Sequence, residues 1–98
     1  MIRDPLLHRY WITLDPSDLR ARHYASGLGV TAYTLADATR LLRSMVFGGA
    51  PVPSFLRVVE DIDVSTLDAR HVLPNVGDSV RRGVWFPNTG PPPDVRRT

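Results

Sequence analysis

Ninety-eight residues, 43% of them hydrophobic, give one domain, because a chain of this length buries only about 60–70% of its unfolded surface in a single core. The formal charge is +2, too small for bulk electrostatics to argue for nucleic acid, and the absence of cysteine excludes disulfides, thiolate catalysis and thiolate metal sites together. No run approaches the roughly 20 apolar residues that span a bilayer, and the N-terminus lacks the basic-then-apolar layout of a signal peptide, so a soluble cytoplasmic protein with no membrane association is expected.

Residues 8–15 read as a first strand, rich in β-branched and aromatic side chains, with Tyr10, Ile12 and Leu14 on one face. Asp15-Pro16 then has the form of a helix start, Asp15 as N-cap and Pro16 at the first helical position, with the helix ending near Gly27. Its interior, 19–24, has no clean apolar stripe, so a short helical turn rising into the next strand fits equally. Gly27-Leu28-Gly29-Val30-Thr31-Ala32 spells G-x-G-x-x-A. A dinucleotide fingerprint follows a strand and opens a helix, whereas these glycines come before a strand. A turn and close backbone packing account for them better.

Residues 29–33 alternate as a short second strand and feed an amphipathic helix capped by Thr34, with Asp37 at the capping-box position. Leu35, Ala38, Leu41, Leu42, Met45 and Val46 form the apolar stripe, and Asp37, Arg40, Arg43 and Ser44 are expected to face outward. Gly48-Gly49 supplies the stop, and Ala50-Pro51-Val52-Pro53 a stiff connector. Residues 56–64 alternate as a strand with one wet side, Leu56, Val58, Glu60, Ile62 and Val64 on one face and Arg57, Val59, Asp61 and Asp63 on the other. Residues 65–71 are turn-like, and 80–86 give a last strand through Gly83-Val84-Trp85-Phe86. Residues 1–88 therefore form a single α+β domain, a small mainly antiparallel sheet of three to five strands packed on one main amphipathic helix. The Pro- and Arg-rich tail, 89–98, is expected to be disordered.

All twelve basic residues are Arg and nine of the ten acids are Asp. Guanidinium forks suit planar anions, but this skew is what a GC-rich genome writes everywhere on a protein. His8, His23 and His71 lack zinc-site spacing, so no metal and no cofactor is expected. A histidine could still meet Asp15, Asp18 or Asp61 in space and do acid-base work. Glu60-Asp61-x-Asp63 raises a hard-cation site, but a solvated strand face that discourages edge aggregation explains it more simply, with Glu60 snorkelling or pairing with an Arg. The most unusual surface candidate runs from His71 to Pro87. It places His71, Asn75, Asp78, Arg81 and Arg82 on turns beside Trp85 and Phe86, residue types that bind partners or anions. In a strand, one of Trp85 and Phe86 would point inward and leave the other for an interface.

Gly29-Val-Thr-Ala-Tyr33, Phe47-Gly-Gly49, His71-Val-Leu-Pro-Asn75 and Arg82-Gly-Val-Trp-Phe-Pro87 together resemble a family of small uncharacterised bacterial proteins. The resemblance covers most of residues 8–87 and implies a bacterial, cytoplasmic setting, with no activity, ligand or site residue attached. The function expected from the residues is a non-enzymatic protein-interaction domain, an accessory or regulatory subunit and a homodimer in its simplest closed form. Two alternatives stand beside it: an anion or nucleic-acid binder using Arg81, Arg82 and Trp85, and a minimal enzyme built on His23 or His71.

Overall fold

Alternation of apolar residues produces the first strand as expected: β1, His8–Leu14, buries Tyr10, Ile12 and Leu14 on one side. The computed structural model describes residues 6–87, and the tail 89–98 lies outside them. β2 is Leu28–Ala32, α1 is Leu35–Met45, β3 is Phe55–Glu60 and β4 is Gly83–Phe86. They build one antiparallel sheet in the order β3-β1-β2-β4, the α+β architecture the pattern implied. No helix among the described residues is long and apolar enough to cross a membrane.

Asp15 accepts from the Ser17 N–H at 2.9 Å but caps no helix. The cap falls three residues later, at Asp18, whose carboxylate accepts from Arg20 N–H and opens a 3₁₀ turn, Leu19–Tyr24. The missing apolar stripe is the reason: with only Ala21 buried, the segment has no face to hold a full α-helix. Arg20 fastens this turn to the Pro-rich connector, donating to the Pro51 carbonyl at 2.6 Å and to both oxygens of Asp18.

Thr34 caps α1 by accepting from Asp37 N–H at 3.0 Å, and Gly48 and Gly49 end the chain's helical run with φ of 59° and 91°. Leu42 and Ala38 are fully buried against β2, and Leu41 and Val46 pack beside them. The ends of the expected stripe do not reach the core: Leu35 and Met45 are 39% and 45% exposed. Asp37, expected to face water, is instead buried on the side of α1 that looks at β4.

α1 and the segment through Phe47 and Val52 cover one side of the sheet. Irregular chain from Ile62 to Val76 covers the other, where Val72, Trp85 and Phe86 form a second apolar cluster with Trp11, Ile62, Val64, Leu67 and Val76. β2 is consequently buried at all five positions. Gly29 in β2 and Gly27 just before it serve packing: a Cβ on Gly29 would come within 2.5 Å of the Trp85 ring, and one on Gly27, at φ 115°, within 2.6 Å of Trp11.

Two bulges break the expected alternation. The pairs Val30↔Val84 and Gly29↔Phe86 leave Trp85 as an extra residue in β4, so the two aromatics lie on the same side and both are buried, 1% and 7% exposed. Neither is left for an interface. The pairs Thr13↔Arg57 and Leu14↔Phe55 make Leu56 the extra residue in β3. Phe55 takes the inward place beside Val58, and Leu56 is 65% exposed. β3 also ends at Glu60, earlier than expected, where Asp61 turns the chain with φ 58°. Ile62 and Val64 thereby join the second cluster and not the face of Val58.

Leu42→Ala should lower stability by about 2–5 kcal/mol in chemical denaturation, because the site is fully enclosed. Gly29→Ala should cost about 1–3 kcal/mol by overpacking against Trp85. The penalty should shrink in a Trp85→Leu background, which the corresponding double-mutant cycle measures.

Candidate functional site

The sequence-selected segment does not assemble as one surface. Arg82 reaches back to α1, donating from Nε to Asp37 Oδ2 at 2.8 Å and from a terminal nitrogen to Oδ1, a bidentate pair. Asp37 also accepts from the Tyr33 N–H at 3.1 Å, and Arg40 lies 3.6 Å away. These hydrogen bonds, those from Arg82 first, hold its carboxyl at about 2, against the upward push of burial. The exposed Arg81 lies 3.5 Å from Asp78, and Asp78 accepts from the Val80 N–H at 2.9 Å. Both arginines thus already face carboxylates. The segment is pinned to the sheet by the Thr31 hydroxyl, which donates to the Ser79 carbonyl at 2.7 Å, and by Gly77 N–H, which donates to the Trp85 carbonyl at 2.7 Å.

Trp85 is enclosed, and its Nε1 has no hydrogen-bond partner among the described residues. His71 sits elsewhere, exposed, with Nδ1 3.2 Å from Asp68 Oδ2. It stands at the rim of a cavity of about 300 Å³ shared with Trp11, Ser26 and Thr66. Asn75 contacts its carbonyl at 3.5 Å. Among the described residues no hydroxyl is hydrogen-bonded to the ring, so this pair has the orienting half of a general base and no nucleophile held on it. His23 lines a separate cleft with Arg22, Ser26 and Phe86.

The opposite edge of the sheet is formed by β3, a consequence of strand order and not of local pattern. β3 pairs with β1 alone, and among the described residues no backbone bond covers its outer edge. Every second residue of the strand therefore has an N–H and a C=O with no backbone partner among the described residues. None of its residues is fully buried. Beside the bulge, Leu56 walls a groove of about 260 Å³ with Thr13, Leu14, Pro16, Ala21, Arg22 and Ala25. At the far end, Glu60 and Asp61 meet His8 across the register, at 3.6 and 2.9 Å from its Nδ1. Of the three aspartates the sequence left open to a histidine, Asp61 meets one here. The partner of Glu60 is this imidazole and not an arginine. Burial first, then the charges of Glu60, Asp61 and Asp37, pushes the nearby Tyr10 phenol up.

Searches against protein-family models, curated proteins and solved structures find no match. The reading of function therefore rests on the chemistry of these surfaces.

Because its folded value lies near 2 and an unfolded aspartate titrates near 3.9, Asp37 contributes in full above about pH 4. That contribution is lost as pH falls from there toward 2. Asp37→Asn should destabilise the protein at pH 7 by about 1–2 kcal/mol, a figure discounted because Arg82 is half exposed. The gap from wild type should narrow steadily in denaturation curves taken below pH 4.

Proposed function

We propose that this chain is a non-enzymatic interaction domain, an accessory or regulatory subunit, that associates through the outer edge of β3 with a second copy of itself. The observation that carries the reading is the contrast between the two sheet edges. β4 has four residues and already takes a backbone bond from Gly77. β3 has six, with an unfilled edge and an exposed Leu56 beside an apolar groove. Unpaired backbone groups along a strand are a template for another strand.

The charge pattern of β3 selects its own copy. Arg57 stands near the start, and Glu60 and Asp61 stand at the end. Laid antiparallel with Val59 opposite its counterpart, the strand brings Arg57 of each copy to the end of the contact where the partner's Glu60 and Asp61 stand, and two-fold symmetry repeats the arrangement. Opposite charges gathered at each end in this way attract across the contact and are weakened by salt. The bulge at Leu56 confines the flat part to residues 57–60, which makes the contact short. A two-fold arrangement uses up the edge in both molecules and leaves none to propagate.

Sedimentation equilibrium over a range of concentrations tests this. The expected result is a monomer–dimer equilibrium between about 1 μM and 1 mM. Arg57→Glu should shift it toward monomer, and Arg57→Glu combined with Asp61→Arg should restore it. A strictly monomeric wild type at about 1 mM, or a dimer indifferent to Arg57→Glu, would overturn the proposed contact.

A further inference from the structure

β1 begins where β3 ends, because the antiparallel register sets Tyr10 opposite Glu60. Beyond Glu60 the chain does not leave: Ile62 N–H donates to the Arg9 carbonyl at 3.0 Å. Consecutive strand residues point to opposite faces, so Glu60 and Asp61 would ordinarily diverge. The turn at Asp61, with φ 58°, ends the alternation and lets both carboxylates approach one imidazole. One donor atom from each of His8, Glu60 and Asp61 lies within 4.8 Å of the others.

We propose that His8, Glu60 and Asp61 bind a divalent metal ion of the zinc class, through Nδ1 of His8 and one oxygen of each carboxylate, with water completing the coordination. Bonds of about 2.0–2.1 Å from zinc to nitrogen and oxygen place the ligands of a tetrahedron about 3.3–3.4 Å apart. The separations from His8 Nδ1, 2.9 Å to Asp61 and 3.6 Å to Glu60, bracket that value. The third separation, carboxylate to carboxylate, is within 4.8 Å, and rotation of the two exposed carboxylates would close it on the ion.

Charge balance supplies an independent reason. Asp18, Asp37 and Asp78 each stand within 4.0 Å of an arginine, at 2.8 Å for Asp18 and 3.5 Å for Asp78. Among the described residues Glu60 and Asp61, like Asp15, Asp63 and Asp68, have no arginine within 4.0 Å, and they alone are two carboxylates gathered on one imidazole. With a neutral imidazole the trio carries two negative charges, which a dication cancels. The nitrogen donor favours zinc and its neighbours over magnesium and calcium, which take oxygen ligands. His8 is about one-third exposed, so the ion has a path in. The metal site does not depend on the contact between two copies of the chain.

The test titrates the full-length chain with zinc by calorimetry and with cobalt(II) by visible absorption. The variants are His8→Ala, Asp61→Asn and, as a control, His71→Ala, each checked for folding by circular dichroism without metal. One equivalent should bind. Affinity should drop about tenfold or more in His8→Ala and Asp61→Asn and stay unchanged in His71→Ala. Should His8→Ala fail to fold, His8→Gln and Glu60→Gln carry the same expectation. No binding at about 1 mM metal overturns the proposal. So does binding indifferent to His8 substitution, which would mean attraction to acidic surface alone, or binding abolished by His71→Ala, which would place the ion at Asp68.

Discussion

The face of the Trp85 indole against Gly29 is the contact from which most of this architecture follows. A strand position without a side chain lets an aromatic ring lie directly on the backbone, and the ring fills the room a Cβ would occupy. To bring Phe86 to the same side, β4 must carry an extra residue at Trp85. The two rings then need a cover, and the chain after β3 supplies it as turns carrying Ile62, Val64, Leu67, Val72 and Val76. Burying an indole removes about 150–250 Å² from water, worth about 4–6 kcal/mol at 25 cal/mol per Å². That outweighs the roughly 1–3 kcal/mol of an unpartnered buried N–H, so Trp85 Nε1 can go without a partner.

The Asp37–Arg82 pair joins the two sides of this arrangement at one point. α1 lies on the face opposite the aromatic layer, while Arg82 comes from the approach to β4, the strand that holds that layer. A four-residue edge strand has few ladder bonds of its own. The bidentate link to the helix's first turn, with the Tyr33 N–H on the same carboxylate, fixes where β4 starts. The third residue after the N-cap thus does two jobs, complementing the helix dipole and anchoring the approach to a strand 45 residues away.

What the sequence announced was local. The alternation of Tyr10, Ile12 and Leu14, the Thr34 cap, the Gly48-Gly49 stop and the Leu42 centre of the helix each depend on neighbours within a few residues, and each stands. What it withheld depends on partners far along the chain. Nothing near Asp37 distinguishes a solvated first-turn acid from one waiting for Arg82. The bulges at Leu56 and Trp85 shift a face by one residue, which a period-two reading cannot see. The open edge of β3 follows from strand order, and strand order is set by pairing across the whole sheet. The corner of His8, Glu60 and Asp61 carried one faint sign, an acid pair placed where a strand had to end. Only the register against β1 brings the histidine to it.

Packing both of the protein's tryptophans into the layer opposite α1, with ring centroids 5.9 Å apart, gives the molecule a one-sided optical probe. Intrinsic indole emission watches the cover over Trp11 and Trp85 and hardly senses the helix. Loosening of the irregular segment 62–76 would quench or red-shift that emission while far-ultraviolet dichroism still recorded an intact α1. Loss of the helix alone would do the reverse. The two signals together therefore separate the two halves of the core within a single unlabelled chain.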